Sequence, residues 1–319
     1  MELRQLKYFL CIADSGSLSR ASEKLHIAQS ALSRQIMELE ADLEARLMVR
    51  GRSGVSLTPE GEVLYDYALG ITKQVANLRA AVRSSSDVVT GAIVLALPQT
   101  ITTVLALPLM RAAAATFPGI AFRLNEELSG NVMDQMHRGL IDLTILCDSG
   151  TEQNLRFTPL VDEEFVLLRA PHATDAPSTD DVSLVAACSR PMIMPSTENG
   201  HTTRWVIEAA LQAAGLPSLN VVAEMNSIHL IKSAVEAGLG FSVMPLALAE
   251  REVNDGRLIA HRIDGGRMRR RLSICEPLNF SESKARQAIC DMIRHTAREM
   301  CEKNRWPGAH CLSLESPMH

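Results

Sequence analysis

The chain has 319 residues, of which 46% are hydrophobic and only 4% aromatic, and its net charge at pH 7 is −5. This length predicts two or more domains, and the acidic balance excludes a protein that coats nucleic acid non-specifically. Seven cysteines are scattered without a CxxC pair, which argues against a disulfide framework and against a zinc site. We therefore expect small buried thiols in a reducing compartment, with no metal and no cofactor.

The N-terminal stretch MELRQLKYFLCIADSG carries charges among its apolar residues, which is unlike a signal peptide. No run approaches the ~20 apolar residues of a membrane span. These two features predict a cytoplasmic protein that makes no membrane contact.

The first 57 residues predict three short helices followed by a hairpin. Helices at 3–13 and 18–25 are separated by Gly16 and Ser17, a stop and an N-cap. After a turn at 26–28, a third helix places its apolar residues on one side: Leu32, Ile36, Leu39 and Leu43. Two short β-prone pieces then flank Gly51, Ser53 and Gly54, which indicates a hairpin.

A short helix, a three-residue turn and a longer helix form the geometry of a helix-turn-helix motif, whose second helix enters the major groove of DNA. The third helix presents polar side chains of suitable type: Gln29, Ser30, Ser33 and Arg34. Gln pairs with adenine, Arg with guanine, and Ser with base edges or phosphate. On the hairpin, Arg50 and Arg52 are candidates for contact with phosphate or the minor groove.

The charge balance of residues 1–65 leaves open an alternative to DNA binding, which is a helical dimerisation module. Residues 1–65 carry eight Lys and Arg against nine Asp and Glu. If the region binds DNA, we expect its charges to be segregated, with four acidic residues at the far end of the third helix: Glu38, Glu40, Asp42 and Glu44.

Thr58 and Pro59 predict the start of a long helix, with Thr as N-cap and Pro in the first turn. Its apolar residues alternate four and three positions apart, as in a heptad seam: Leu64, Ala68, Ile71, Val75, Leu78 and Val82. About 28 residues would span roughly 42 Å, so we expect this helix to pair with a second copy of itself. The alternative is that it packs on its own domain.

Residues after 90 predict an α/β domain with parallel βαβ units. Buried-strand patterns occur at 91–97, 121–126, 143–147, 163–170, 191–195, 219–225, 240–245 and 270–277. Helical patterns lie between them or close the domain, including 129–138, 202–214, 228–237 and 283–301. Residues 303–319, with two Pro and one Gly, are expected to be disordered.

Residues 1–65 closely resemble the N-terminal domain of LysR-type transcriptional regulators. The pattern comprises Phe9, Gly16–Ser17, Ala21–Leu25, Gln29, Ser33, Ile36, Leu39–Glu40, Leu43, Leu47, Arg50 and Leu57–Thr58–Gly61. Two positions depart from the family's usual residues, with Ser30 in place of Pro and Met48 in place of Phe. The resemblance is strong at the N-terminus and mainly architectural after residue 90.

The resemblance implies a multidomain α/β protein: a winged helix-turn-helix at 1–58, a linker and dimerisation helix at 59–87, and a two-lobed effector-binding domain at 88–302, similar to periplasmic binding proteins. Lobe I comprises about 91–163 and 267–302, and lobe II about 164–266. The implied partners are double-stranded promoter DNA, a small-molecule effector and the protein itself, as a homodimer through the linker helix and a homotetramer. RNA polymerase is a further candidate partner. The same resemblance carries Gln29, Ser30, Ser33, Arg34, Arg50 and Arg52 over as the DNA contacts.

The effector is expected where strand 91–97 meets the next helix, because a helix N-terminus at the carboxyl end of a parallel strand attracts anions. Hydroxyls there come from Thr100, Thr102 and Thr103, although one of them could simply cap the helix. Other candidates follow strands elsewhere in the domain: Asp148, Ser196, Thr197, Thr202 and Asn226. Asp148 either starts a turn or lines the cleft, where it would favour an effector with an amino or hydroxyl group. Asn226 is equally a cap candidate.

The remaining sequence patterns give weaker indications of function. The run Arg267, Arg269, Arg270 and Arg271 lies at the start of a strand, so a solvated face or an oligomer contact is favoured over a nucleic-acid patch. No catalytic motif stands out, and we expect no enzymatic activity. The leading interpretation is a regulator that responds to an anionic effector. The alternatives are a small-molecule binding protein without a DNA role and a DNA-binding regulator that needs no effector.

Overall fold

The computed structural model describes residues 1–51, 54–83, 89–147, 154–196, 202–215, 218–278 and 283–312. The chain divides into two compact units, one formed by 1–87 with 135–141 and the other by 88–134 with 142–319. Each unit has a hydrophobic core of its own.

The first unit contains the predicted helices and hairpin. Its elements are α1 (Leu3–Ser15), α2 (Leu18–Leu25), α3 (Gln29–Asp42), β1 (Met48–Gly51), β2 (Gly54–Leu57) and α4 (Pro59–Arg83). The predicted cap is confirmed, since the Ser17 hydroxyl accepts a hydrogen bond from the Arg20 amide at the start of α2. The core draws on α1, α2, α3 and the segment that leads into β1, with Phe9, Ile12, Leu18, Ala21, Leu32, Ile36, Leu39 and Leu47 buried. Leu43 differs from the prediction: it is 37% exposed, because α3 ends at Asp42.

The hairpin of β1 and β2 is held against the turn between α1 and α2. The Val55 amide donates to the Gly16 carbonyl oxygen at 2.9 Å. Gly54 has φ +122°, and a Cβ on it would lie 2.4 Å from that same oxygen. Only glycine tolerates both conditions, so Gly54 sets how closely the hairpin approaches the helices.

The apolar seam of α4 divides into two parts. Ala68 is fully buried and packs with Leu6 and Leu10 of α1, which matches the alternative that the helix packs on its own domain. Further along, Leu78 is 61% exposed and Val82 is 78% exposed. The second half of the seam therefore has no apolar cover among the described residues of this chain.

The rest of the chain alternates strands and helices. Its elements are β3 (Gly91–Pro98), α5 (Gln99–Thr116), β4 (Ile120–Glu127), α6 (Ser129–His137), β5 (Leu143–Cys147), β6 (Leu155–Arg169), β7 (Asp181–Val182), α7 (Leu184–Cys188), β8 (Met192–Pro195), α8 (Thr202–Ala213), β9 (Val221–Met225), α9 (Ile228–Glu236), β10 (Ser242–Pro245), α10 (Glu250–Asn254), β11 (Ile259–Ile263), β12 (Arg269–Pro277), α11 (Lys284–Glu302) and β13 (Ala309–Cys311).

Within the described residues, nine strands form one sheet in the order β4-β3-β5-β12-β6-β11-β7, with β10 and β13 also paired to β6. The predicted parallel pairing is confirmed for β3 with β4 and β5, and for β8 with β9. The long strand β6 pairs with β12 along its first part and with β10 and β11 near its end. It therefore runs from lobe I into lobe II, and the two lobes share a continuous backbone.

The expectation of a disordered tail at 303–319 is wrong for residues 303–312. Trp306 is only 1% exposed and belongs to the core of lobe I. The strand β13 that follows pairs with β6. Burial of one large indole ring stabilises this segment despite its Pro and Gly content. Residues 313–319 lie outside the described residues.

Candidate nucleic-acid interface and effector site

The polar side of α3 lies opposite its buried side. Leu32, Ile36 and Leu39 enter the core, which turns Gln29, Ser30 and Arg34 toward solvent and leaves Ser33 half-buried. The side chains of Ser30, Ala31 and Ser33 are short, so this part of the helix allows the close approach that a major groove requires.

A hydrogen bond joins the polar side of α3 to the hairpin. Arg50 Nη2 donates to the Ser33 hydroxyl oxygen at 2.8 Å, which places the guanidinium of Arg50 beside α3. The Ser19 hydroxyl donates to Gln29 Oε1 at 3.3 Å, so a residue of α2 orients the first residue of α3. Arg52 lies outside the described residues.

Arg34 forms an exposed ion pair within α3. Its Nε lies 2.9 Å from Glu38 Oε1, and 78% of the Arg34 side chain is exposed. Exposed pairs of this type contribute about 0–1 kcal/mol. The guanidinium can therefore be redirected to a base or phosphate at small cost.

The acidic end of α3 is used within the unit. Glu40 Oε1 accepts hydrogen bonds from the amides of Leu47 and Met48, at 2.8 and 3.3 Å. Glu38 also accepts from Gln35 Nε2 at 2.7 Å. Glu40 therefore holds the start of the hairpin, whereas Glu38 lies beside Arg34, so the expected segregation of charge does not extend to Glu38.

A narrow cleft lies between the lobes, with an empty volume of about 320 Å³, part of it open solvent. The cleft is lined by residues at the starts of α5, α6, α8 and α9 and at the end of β4, including Gln99, Thr100, Glu127, Ser129, Thr203 and Ile228. Thr100 is thus the residue of the predicted threonine set that lines the cleft. Its hydroxyl oxygen accepts a hydrogen bond from Arg270 Nη1 at 3.3 Å.

The other two threonines of α5 donate their hydroxyls to backbone carbonyl oxygens at the β3–α5 junction. Thr102 Oγ1 donates toward the carbonyl oxygens of Leu97 and Pro98, both at 3.1 Å. Thr103 Oγ1 donates to the Gln99 carbonyl oxygen at 3.0 Å, and Thr103 is exposed. Neither is among the residues that line the cleft.

The candidates of the other loops are only partly placed. Ser196 is half-buried, and its buried hydroxyl has no hydrogen-bond partner among the described residues. Asn226 is exposed, and the N-cap position of α9 belongs to Ser227. Asp148 and Thr197 lie outside the described residues, as does the side chain of Thr202.

Sequence reasoning missed several lining residues, because their roles depend on how the lobes meet. Gln99 Oε1 accepts a hydrogen bond from the Ile228 amide at 3.1 Å and so bridges lobe I and lobe II. Thr203 is 3% exposed and lines the cleft. Glu127 ends β4, and its position after a strand was a signal that could have identified it.

The arginine run is solvated as expected at Arg267, Arg269 and Arg271, and only Arg270 departs from the expectation. Arg270 is buried, and its Nε donates to Glu163 Oε2 at 2.7 Å, while Trp306 Nε1 donates to Glu163 Oε1 at 2.8 Å. Its neighbours Arg269 and Arg271 pair with acids of β6 at partly exposed positions. The alternation follows from the strand, which turns every second side chain inward.

Burial raises the pKa of two cysteine thiols in the α/β part. It raises the pKa of Cys188 to about 11 and that of Cys290 to about 12. Among the described residues, no group of three or more His, Cys, Asp and Glu side chains is placed to hold a metal ion. Within the same part of the chain, none of the helices combines the length and apolar character needed to cross a bilayer.

A winged helix-turn-helix joined through a long helix to a two-lobed α/β domain defines a class of DNA-binding regulator with a ligand-binding domain. Two family models match the chain. Residues 3–62 match "Bacterial regulatory helix-turn-helix protein, lysR family", and residues 86–298 match "LysR substrate binding domain". The chain belongs to the LysR family of transcriptional regulators.

Relatives and solved structures agree with this assignment. The nitrogen assimilation regulatory protein nac of Escherichia coli (strain K12) is 28% identical over 96% of this chain and 99% of its own length. The uncharacterized HTH-type transcriptional regulator YfeR of Shigella flexneri is 30% identical over 92% of this chain and 93% of its own. A full-length OxyR variant from Pseudomonas aeruginosa has a TM-score of 0.71 at 21% identity, covering 99% of both chains.

A crystal structure of full-length CbnR in complex with its target DNA has a TM-score of 0.65 at 19% identity. It covers 93% of this chain and 100% of CbnR. At such identities the likeness shows the fold. The family membership, in turn, makes this chain a LysR-type DNA-binding transcriptional regulator with an effector-binding domain.

Proposed function

We propose that this regulator reads promoter DNA through the first two turns of α3 and the hairpin that follows it. The contacts would come from Gln29, Ser30, Ser33, Arg34, Arg50 and Arg52. The observation that carries the proposal is the hydrogen bond from Arg50 to Ser33. It sets a cation from the hairpin beside an exposed face of short polar side chains, so one surface can engage base edges and phosphate together.

The protein acts as a homodimer paired through α4, and two such dimers form a homotetramer. Support comes from the second half of the α4 seam, where Leu78 and Val82 are largely exposed. Apolar side chains at heptad spacing pair with a second helix. The pairing places two copies of α3 on one DNA duplex and predicts half-sites related by dyad symmetry.

An effector bound between lobes I and II modulates DNA binding or activation. Thr100 is the best-supported contact, because it lines the cleft at the N-terminus of α5. The division of labour follows the chain: residues 1–58 bind DNA, 59–87 dimerise and 88–302 bind the effector. The protein acts in the cytoplasm, with RNA polymerase as a further partner, and it regulates rather than catalyses.

The experiment is a titration of promoter DNA with full-length protein carrying Arg34→Ala. The loss of a base contact should lower specific affinity by about 1–3 kcal/mol. Arg251→Ala is the matched control, since Arg251 is another exposed arginine in an i,i+4 ion pair but lies on α10. Equal affinities of the two variants, measured by fluorescence anisotropy, would remove Arg34 from the interface.

A further inference from the structure

Both lobes contribute hydrogen-bond donors to the cleft, and these donors suit an oxygen-rich group of a ligand. The Thr100 hydroxyl oxygen already accepts from Arg270, and the guanidinium has no acceptor atom to offer in return. The hydroxyl proton of Thr100 has no acceptor among the described residues, so it can be donated to a ligand. Thr203 is only 3% exposed, and its hydroxyl likewise has no described hydrogen-bond partner.

The amide of Ile228 marks where a ligand oxygen would bind. This amide opens α9, whose N-cap residue Ser227 makes no side-chain capping bond. The acceptor is instead Gln99 Oε1, reaching across from lobe I at 3.1 Å. An amide oxygen of the protein therefore occupies a position that suits a carboxylate oxygen, beside the positive end of the α9 dipole.

Lobe I also brings a negative charge to the cleft, since Glu127 of β4 is the sheet partner of Pro98 of β3. Glu127 ends β4, lines the same cleft and makes no ion pair with the described residues. Arg270 lies behind Thr100, and its charge is already balanced by Glu163. A dianion would meet repulsion from Glu127, whereas a protonated amine would be attracted to it.

We propose that the cleft binds a small zwitterion of amino-acid size, which refines the anionic effector expected from the sequence. Its carboxylate accepts from Thr100 and Thr203 and replaces Gln99 Oε1 as the acceptor of the Ile228 amide, and its ammonium group interacts with Glu127. The cleft is narrow, and part of its volume of about 320 Å³ is open solvent, which favours a ligand no larger than a free amino acid. The proposal rests on the effector site in the proposed function and adds the charge pattern of the ligand.

The test measures the thermal unfolding of full-length protein with the twenty common amino acids. For each amino acid that raises Tm, two matched compounds are titrated: the carboxylic acid without the amine and the amine without the carboxylate. A ligand that binds only the folded state raises Tm in a concentration-dependent way. We expect at least one amino acid to bind, and both matched compounds to bind about tenfold or more weakly, as expected for loss of a charge-assisted contact.

Two variants locate the ammonium site. Glu127→Gln should weaken the amino acid about tenfold and leave the amine-free acid unchanged or tighter. Glu126→Gln is the matched control, because Glu126 precedes it on β4 with its side chain exposed and outside the cleft lining. The Glu126→Gln variant should bind the amino acid with the affinity of the unsubstituted protein.

Three outcomes would overturn the proposal: no amino acid binds, the amine-free acid binds as tightly as the amino acid, or Glu127→Gln and Glu126→Gln behave alike. Binding of an amine-free acid alone would overturn the zwitterion and keep the effector site. Operator binding is measured on the same samples, so failure of the DNA-binding function is seen independently of the ligand result.

Discussion

The buried ion pair between β12 and β6 gives a stability prediction with a built-in control. Replacing Arg270 by Met leaves the carboxylate of Glu163 without its cation, at a place where both side chains are nearly inaccessible, 2% and 1% exposed. Removing one partner of a buried pair costs about 3–5 kcal/mol. In a domain of this size, each kcal/mol lowers Tm by roughly 2–4 °C, so we expect a loss of about 6–20 °C.

The adjacent arginine provides the control. Arg271→Met breaks a pair with Asp162 in which the arginine side chain is 47% exposed, and such pairs contribute about 0–1 kcal/mol. The double variant Arg270→Met with Glu163→Gln removes the stranded charge and keeps an acceptor for Trp306. It should recover most of the lost stability.

Tryptophan fluorescence is the appropriate assay, because both tryptophans of the chain, Trp205 and Trp306, lie in the α/β part. The unfolding of that part is therefore observed without a signal from the helix-turn-helix. The reasoning is refuted if Arg270→Met and Arg271→Met shift Tm equally, or if the double variant is no more stable than Arg270→Met alone.

Three further predictions concern assembly, thiols and pH. Leu78→Lys should dissociate the oligomer by placing charge in the α4 seam, whereas Val185→Lys, at a 51% exposed position of α7, should not; light scattering that shows intact oligomers for both would contradict the seam. At pH 8 a thiol reagent should modify exposed Cys311 rapidly and Cys290 only after unfolding, because burial raises the pKa of Cys290 to about 12. Equal modification rates of the two cysteines, measured by peptide mass spectrometry, would refute this. The hydrogen bond to Asp14 raises the pKa of Tyr65 from 10.0 to about 12. The contribution of this bond to the free energy of unfolding should therefore be complete below pH 10 and lost as pH rises through about 12. A tyrosine absorbance titration that finds every tyrosine ionising near pH 10 would contradict this.

The parts of the fold that local patterns control could be predicted from the sequence. Helical spacing and the Ser17 cap located α1 to α3, and Thr58 with Pro59 marked the start of α4. Buried-strand runs located β3 and β5 within one or two residues. Each of these signals lies within a few residues of the element that it specifies.

Contacts that depend on distant residues could not be predicted. Arg270 and Glu163 are 107 positions apart, and only the register between β12 and β6 brings them together. The choice of Thr203 for the cleft depends on how α8 packs, since several neighbouring Thr and Ser residues have the same local character. Trp306 shows that one buried ring can order a segment whose composition favours disorder.

The central claim is that α3 and the hairpin of a paired regulator read a specific DNA sequence. The most direct measurement is selection of binding sites by the purified full-length protein from a random pool of double-stranded DNA. We predict enrichment of one motif whose two half-sites are related by dyad symmetry, as two copies of α3 require. A pool that shows no enriched sequence after repeated rounds would contradict the claim.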